Sequence, residues 1–185
     1  MKIITKRQDL KIVKFLLPLV LAAFFGLSSA YAQRAPIDIN LIIDGSSSFS
    51  SVKEEVTSWI LGRLDQILVD GDKVTIWNAG SPSKVIYSGA DKEAAKKSVN
   101  DLSPSGNSAD FSGALREAAS KQSSSYSYTL LISASPTALS SVLSGPQANL
   151  LKFSRVEEFN SWRALVVGLN LDTKVKKAST SFFAQ

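Results

Sequence analysis

Cysteine and histidine are both absent from the 185 residues of this chain, and its one methionine is the first residue. Without cysteine there is no disulfide framework, no thiolate nucleophile and no lipid-bearing cysteine. Without histidine, Ser-His-Asp and Cys-His catalysis are excluded, as is imidazole-ligated zinc. No Gly-x-x-x-x-Gly-Lys phosphate loop occurs. No apolar run reaches the roughly 20 residues that span a bilayer.

The first residues form a unit of their own. Lys2, Lys6, Arg7, Lys11 and Lys14 stand against Asp9 alone, an apolar run follows from Phe15 to Leu27, and Ser28-Ser29-Ala30-Tyr31-Ala32 closes it. A basic head, a short hydrophobic stretch and a small-x-small ending read as a secretory signal, residues 1–32, cleaved after Ala32. The alternative is an uncleaved anchor helix, which the shortness of the run disfavours. The formal charge of the whole chain is +5. The leader holds a net +4 of it, so residues 33–185 carry about +1 on the same formal count. The basic balance therefore belongs to the export signal and makes no case for a nucleic-acid partner or for stable membrane insertion after cleavage.

Residues 33–185 have the length of one ordinary domain. Ile37-Asp38-Ile39-Asn40-Leu41-Ile42-Ile43 starts alternating and ends continuous, as a central strand does when covered on both faces. Ser51-Val52-Lys53-Glu54 has the form of a capping box. Val52, Val56, Trp59, Ile60, Leu64, Ile67 and Leu68 then recur at helical spacing, up to Asp70-Gly71-Asp72. Lys73–Trp77 and Lys84–Tyr87 read as an antiparallel pair around Gly80-Ser81-Pro82-Ser83. Asp91–Leu102 is a helix capped by Asp91, Ser103–Ser108 a loop, and Phe111–Lys121 a second helix with Asp110 as its cap. Tyr128–Ile132 and Arg163–Leu169 are buried strands. Ser133–Gly145 is turn-rich and Arg155–Trp162 is expected to be a short helix. A last helix is expected after Asp172 through Val175 and Ala178, before Phe182-Phe183, which either seals a sheet edge or offers a partner a sticky patch. Strands alternating with helices predict a three-layer α/β/α sandwich, its central sheet mostly parallel with one antiparallel edge strand.

The chemistry gathers after the first strand. Asp44, Ser46 and Ser48 leave it together, and ligands of open α/β sheets bind outside the carboxyl ends of the strands. An oxygen-only set suits a hard cation, Mg²⁺ or Mn²⁺, rather than zinc or copper. For the serines the plain alternative is hydrogen bonding to the turn backbone.

The order of "IDINLIIDGSSSF", "GDKVTIW…KVIYSG", "GNSADFSGALREAA", "YTLLISAS" and "RALVVGLN" resembles the von Willebrand factor type A domain family over nearly all of residues 33–185. The resemblance implies that fold, Rossmann-like in its winding and here shortened at the C-terminus. It also implies a metal-ion-dependent adhesion site in which Asp-x-Ser-x-Ser is joined by a threonine and an aspartate from two further loops. By motif match the first three are Asp44, Ser46 and Ser48. The other two positions fall on Ala109 and Ala134, which offer no oxygen, so the adhesion site is degenerate. Ser108 and Asp110 stand near enough to substitute. The resemblance further implies a contact surface in the loops Gly45–Ser50, Ser105–Asp110 and Ala134–Leu143, with Ser47, Phe49, Asn107, Ser133 and Ser135 as partner-binding residues.

Two weaker signals complete the reading. Ser50-Ser51-Val52-Lys53 and Ser81-Pro82-Ser83-Lys84 have the Ser-x-x-Lys spacing of acylating enzymes, but neither Ser-Asp-Asn nor Lys-Thr-Gly accompanies them. Trp59 and Trp162 sit at apolar positions of the core, and Trp77 ends a strand, as core or as an exposed platform. The expected function is an exported, non-enzymatic protein-binding module of a cell envelope, periplasmic or secreted, without a full metal site or other cofactor. A divalent-cation-dependent adhesin is the alternative, and a serine-lysine hydrolase a distant third.

Overall fold

The computed structural model describes residues 35–121 and 127–169. The expected signal segment 1–32, the helix expected after Asp172 and the Phe182-Phe183 end lie outside them. The described elements are β1 (Asp38–Asp44), a 3₁₀ turn (Ser47–Ser51), α1 (Lys53–Ile67), β2 (Lys73–Ala79), β3 (Lys84–Gly89), α2 (Lys92–Asn100), α3 (Phe111–Ser120), β4 (Ser127–Ser133), α4 (Pro136–Ser144), β5 (Leu151–Glu158) and β6 (Arg163–Leu169).

One six-stranded sheet has the order β3-β2-β1-β4-β6-β5. β1 pairs in parallel with β2 and β4, while β3 is antiparallel to β2, and β6 is antiparallel to both β4 and β5. Four strands thus run one way and two the other. Alternation sorts the side chains onto two faces. Ile39, Leu41, Ile43, Val74, Ile76, Leu130, Ile132 and Val166 meet Val56, Ile60 and Leu64 of α1 and Ala95 and Val99 of α2 in one core. Ile42, Trp77, Ala79, Leu131, Leu165 and Val167 meet α3, through Phe111, Ala114, Leu115 and Ala118, and α4, through Leu139 and Val142, in the other. Two helical layers on the two faces of one sheet make the three-layer sandwich. Each fully buried aliphatic side chain in it contributes about 1.5–3 kcal/mol.

Several local expectations are corrected. Arg155–Trp162 is not a helix: β5 occupies Leu151–Glu158 and turns back through a short connection into β6. Arg155, Val156 and Glu158 are exposed on this edge strand, so no clean apolar alternation marks it, and ladder bonding to β6 overrides its neutral local preference. The hairpin also explains why β6 lies reversed between β4 and β5, giving two reversed strands where one was expected. Ser51 does not cap α1: its hydroxyl donates to Ser48 O, and the chain enters the helix through Val52, from the 3₁₀ turn. Ser133–Gly145 contains α4, begun by Ser135, whose Oγ accepts from Ala138 N–H, with Pro136 in the first turn.

Asp91 and Asp110 do cap their helices, accepting from Ala94 N–H at 3.0 Å and Gly113 N–H at 2.8 Å. Asp72 is buried beyond α1 and accepts from Ile37 N–H and Val69 N–H, with Gly71 at φ +92° making the turn. Trp162 stacks on Phe159 at 3.8 Å, meets Trp59 edge-on, and donates its indole N–H to Glu55. Trp77 is core, 1% exposed.

Candidate functional site

Period two along the strands and the parallel register of β1 with β4 place Asp44 beside Ser133, one step past the Ile43–Ile132 pairing and on the α3/α4 face. Both are buried. Asp44 Oδ1 accepts from Ser46 N–H at 2.9 Å and from Ser46 Oγ at 2.6 Å; Oδ2 accepts from Ser133 Oγ at 2.5 Å. Ser133 Oγ in turn accepts from Ser135 N–H at 2.9 Å. Ser48 Oγ lies 2.9 Å from Ser46 Oγ. Each hydroxyl has one proton. Ser46 gives its proton to Asp44, so Ser48 is the donor to Ser46. The exposed Ser48 oxygen therefore faces solvent with acceptor capacity only.

The loop is pinned by its neighbours. Gly45 O accepts from Ser105 N–H and Gly106 N–H, and Ser47 N–H donates to Gly106 O at 2.8 Å. A Cβ at Gly45 would stand 1.8 Å from Asn78 Oδ1 and 2.5 Å from Gly80 N, so only glycine lets these three loops converge. Asp110 N–H donates to Ala79 O, fixing the third loop to the end of β2.

The expected site residues separate into three groups. Asp44, Ser46 and Ser48 come together as the motif requires. Ser47, Asn107 and Ser108 are exposed on the adjoining loops, and Ser135 is half-buried at the start of α4. Phe49 and Ser133 are corrected as partner contacts: Phe49 is fully buried, folded back into the α1 core by the 3₁₀ turn, and Ser133 is fully buried against Asp44. Asp110 spends its carboxylate on Gly113 N–H. Ala109 and Ala134 turn their methyls toward the two cores. Sequence reasoning named Ser133 as a partner contact and missed its role as the carboxylate's anchor. Its signal was present: Ser133-x-Ser135 after a buried strand repeats the alternation of Ser46-x-Ser48.

Mg²⁺ is normally held by one or two carboxylates with several waters retained. Here one carboxylate is present, three donors already occupy it, and a second would have to leave a helix cap. No group of three or more His, Cys, Asp or Glu side chains is gathered among the described residues. This donor set is a poor fit to a divalent cation and a good one to a hydrogen-bonded chain that runs from Ser48 through Ser46, Asp44 and Ser133 to Ser135 N–H. Among the described residues, neither Ser50 with Lys53 nor Ser81 with Lys84 is hydrogen-bonded.

Fold and loop together define the class: an α/β sandwich whose parallel strands end in a crown built on one buried carboxylate. No protein-family model matches the chain, and no curated protein matches it. Solved structures similar to it include a von Willebrand factor type A protein from Catenulispora acidiphila, 23% identical over 46% of this chain and 22% of that one, with a TM-score of 0.41. Others are the three N-terminal domains of the type V pili tip protein Mfa5 from Porphyromonas gingivalis (15% identity, 52% and 19% coverage, TM-score 0.42) and proximal thread matrix protein 1 from the mussel byssus (16%, 48% and 25%, 0.40). The similar region spans about a fifth to a quarter of those longer chains.

Proposed function

We propose that this chain is an exported, non-enzymatic binding module of the von Willebrand type A kind, contacting another protein of the cell envelope through the loops at the carboxyl ends of β1, β2 and β4. The observation that supports this most is the hydrogen-bonded chain through Asp44. It leaves the loop rigid and directs the hydroxyl protons inward, toward the buried carboxylate. A rigid surface lowers the entropy cost of binding. Acceptor oxygen over a buried negative charge favours a partner that supplies N–H donors or a cationic side chain. The site then works without a metal. Among the described residues no helix is long and apolar enough to cross a membrane.

Capture from envelope extract on the immobilised protein tests the reading, with Ser47→Arg/Asn107→Arg as the control. Both positions are exposed, so the variant keeps its fold while bringing two positive charges to the loops. Species retained by wild type, lost in the variant and indifferent to EDTA support the proposal. Equal retention by the variant overturns the surface. Retention abolished by EDTA overturns the metal-free version and favours a cation-dependent adhesin.

A further inference from the structure

The sheet has two edges, and they are not alike. β3, at one edge, breaks register with β2 at Ile86 and carries a single charge, Lys84. Such a break bends an edge away from further pairing. β5, at the other edge, runs in unbroken register with β6 from the Ser154–Val167 pair to the Glu158–Arg163 pair. Among the described residues no strand pairs with its outer side. Val156, at the middle of this stretch, is 43% exposed, the most open of the large hydrophobic side chains among the described residues.

Edge strands are commonly guarded by charge, and Arg155, Glu157 and Glu158 give β5 that guard. Their order does more. Alternation puts Arg155 and Glu157 on the α1 face, opposite Val166 and Ala164, and Ser154, Val156 and Glu158 on the α3/α4 face. A second copy adding antiparallel to this edge is related to the first by a two-fold axis normal to the sheet. Directly opposite residues must then share a face, so the axis can pass only through a residue. Centred on Arg155, it sets arginine against arginine; centred on Glu157, glutamate against glutamate. Centred on Val156, it sets Arg155 of each copy against Glu157 of the other, Val156 against itself, and the Ser154 hydroxyl against the Glu158 carboxylate. Opposite charges and β-branched pairs are favourable cross-strand neighbours, and like charges are not. Of the three central registers, one alone is self-complementary.

We propose that β5 is a dimerisation edge: two copies of this chain join β5 to β5, antiparallel and centred on Val156, into one continuous sheet. The local pair of Arg155 with Glu157, 3.5 Å apart, then becomes a cross-strand pair at both ends of the contact. β5 runs in the same direction as β1 and β4, so the two-fold turns the Asp44 loops of the two copies to opposite ends of the sheet. One dimer presents two loop surfaces facing away from each other. No loop residue takes part in the contact, so it stands or falls independently of the partner surface.

Sedimentation equilibrium over a concentration series tests this on the purified protein, with Arg155→Glu, Glu157→Arg and the double exchange. Wild type and the double variant are expected to dimerise alike. Each single variant sets like charges opposite each other at both ends and is expected to dimerise about tenfold more weakly. Mixed together, the two single variants are complementary again and are expected to associate as wild type does, a rescue that misfolding cannot imitate. The chain has no cysteine, so Val156→Cys reports the register: a short bifunctional maleimide is expected to join two copies through it. Val85→Cys, at a comparably exposed position on the β3 edge, is expected to stay uncoupled. Should a charge variant fail to fold, this crosslink carries the test. A wild type that stays monomeric at every concentration overturns the proposal. Dimerisation indifferent to the charge exchanges overturns the register, and equal coupling through Val85→Cys overturns the edge.

Discussion

A carboxylate taken out of water is held by whatever donors the fold can bring to it, and at Asp44 these are hydroxyls rather than a cation. Ser46 is supplied locally, two residues on, whereas Ser133 arrives from 89 residues away through the β1–β4 register. The consequences of losing them differ. Ser133→Ala leaves a fully buried acceptor one donor short, which costs about 1–3 kcal/mol. Ser48→Ala removes an exposed hydroxyl at the outer end of the chain of donors and stays within about 0.5 kcal/mol of wild type. Urea unfolding monitored by tryptophan fluorescence separates the two, and equal midpoints would mean that Ser133 does not anchor the carboxylate. The clustering of Asp44, Ser46 and Ser48 was legible because alternating polar residues directly after a buried strand leave it together. Phe49 was not, since nothing in one residue's identity tells which way a 3₁₀ turn will fold it.

Elements were legible where their burial was one-sided or complete; of the two edge strands, β3 was legible from its tight connection to β2, and β5 was not. β1, β4 and β6 are nearly all buried and read as apolar runs. β5, with one neighbour and a charged outer side, has a composition that suits a helix as well. The same scale carries a titration. Asp65 near the end of α1 accepts from Lys96 and Lys92 of α2 at 2.8 and 3.0 Å, tying the two helices together. Hydrogen bonds from Lys96 and then Lys92 hold the Asp65 carboxyl below the usual carboxylate range, and Asp65, with Glu93, raises the Lys96 ammonium. The depressed carboxyl stabilises the fold above its unfolded value, and that contribution is lost as pH falls through the folded value. The raised ammonium stabilises below its own unfolded value, and its contribution is lost as pH rises through the folded one. Carboxyl-carbon NMR is expected to place the Asp65 midpoint below that of an isolated aspartate and to return it upward in Lys96→Met. A midpoint indifferent to Lys96→Met would show that the clamp is open in solution. Being solvent-exposed, the pair adds little to stability in salt.

At the scale of the whole molecule, two separate cores on one sheet make the sandwich, and continuous apolar strands alternating with helices announced that arrangement well. What the pattern could not announce was strand direction, because β4 and β6 read the same whether parallel or not; the short β5–β6 hairpin decides it. Global stability also carries the sharpest test of the hydrogen bonding at Asp44. A ligand that binds only the folded state stabilises it by RT ln(1 + [L]/Kd), about 2.7 kcal/mol at a hundredfold excess over Kd. An adhesion-type site with micromolar affinity would therefore raise Tm by several degrees in millimolar Mg²⁺ or Mn²⁺, at about 2–4 °C per kcal/mol for a domain near this size. With Asp44 already satisfied by Ser46 and Ser133, a cation would first have to break those bonds, and the expected result is a Tm that agrees within about 1 °C in Mg²⁺, Mn²⁺ and EDTA. A rise in either metal that disappears in Asp44→Asn would mean that the hydroxyls let go of the carboxylate to admit an ion.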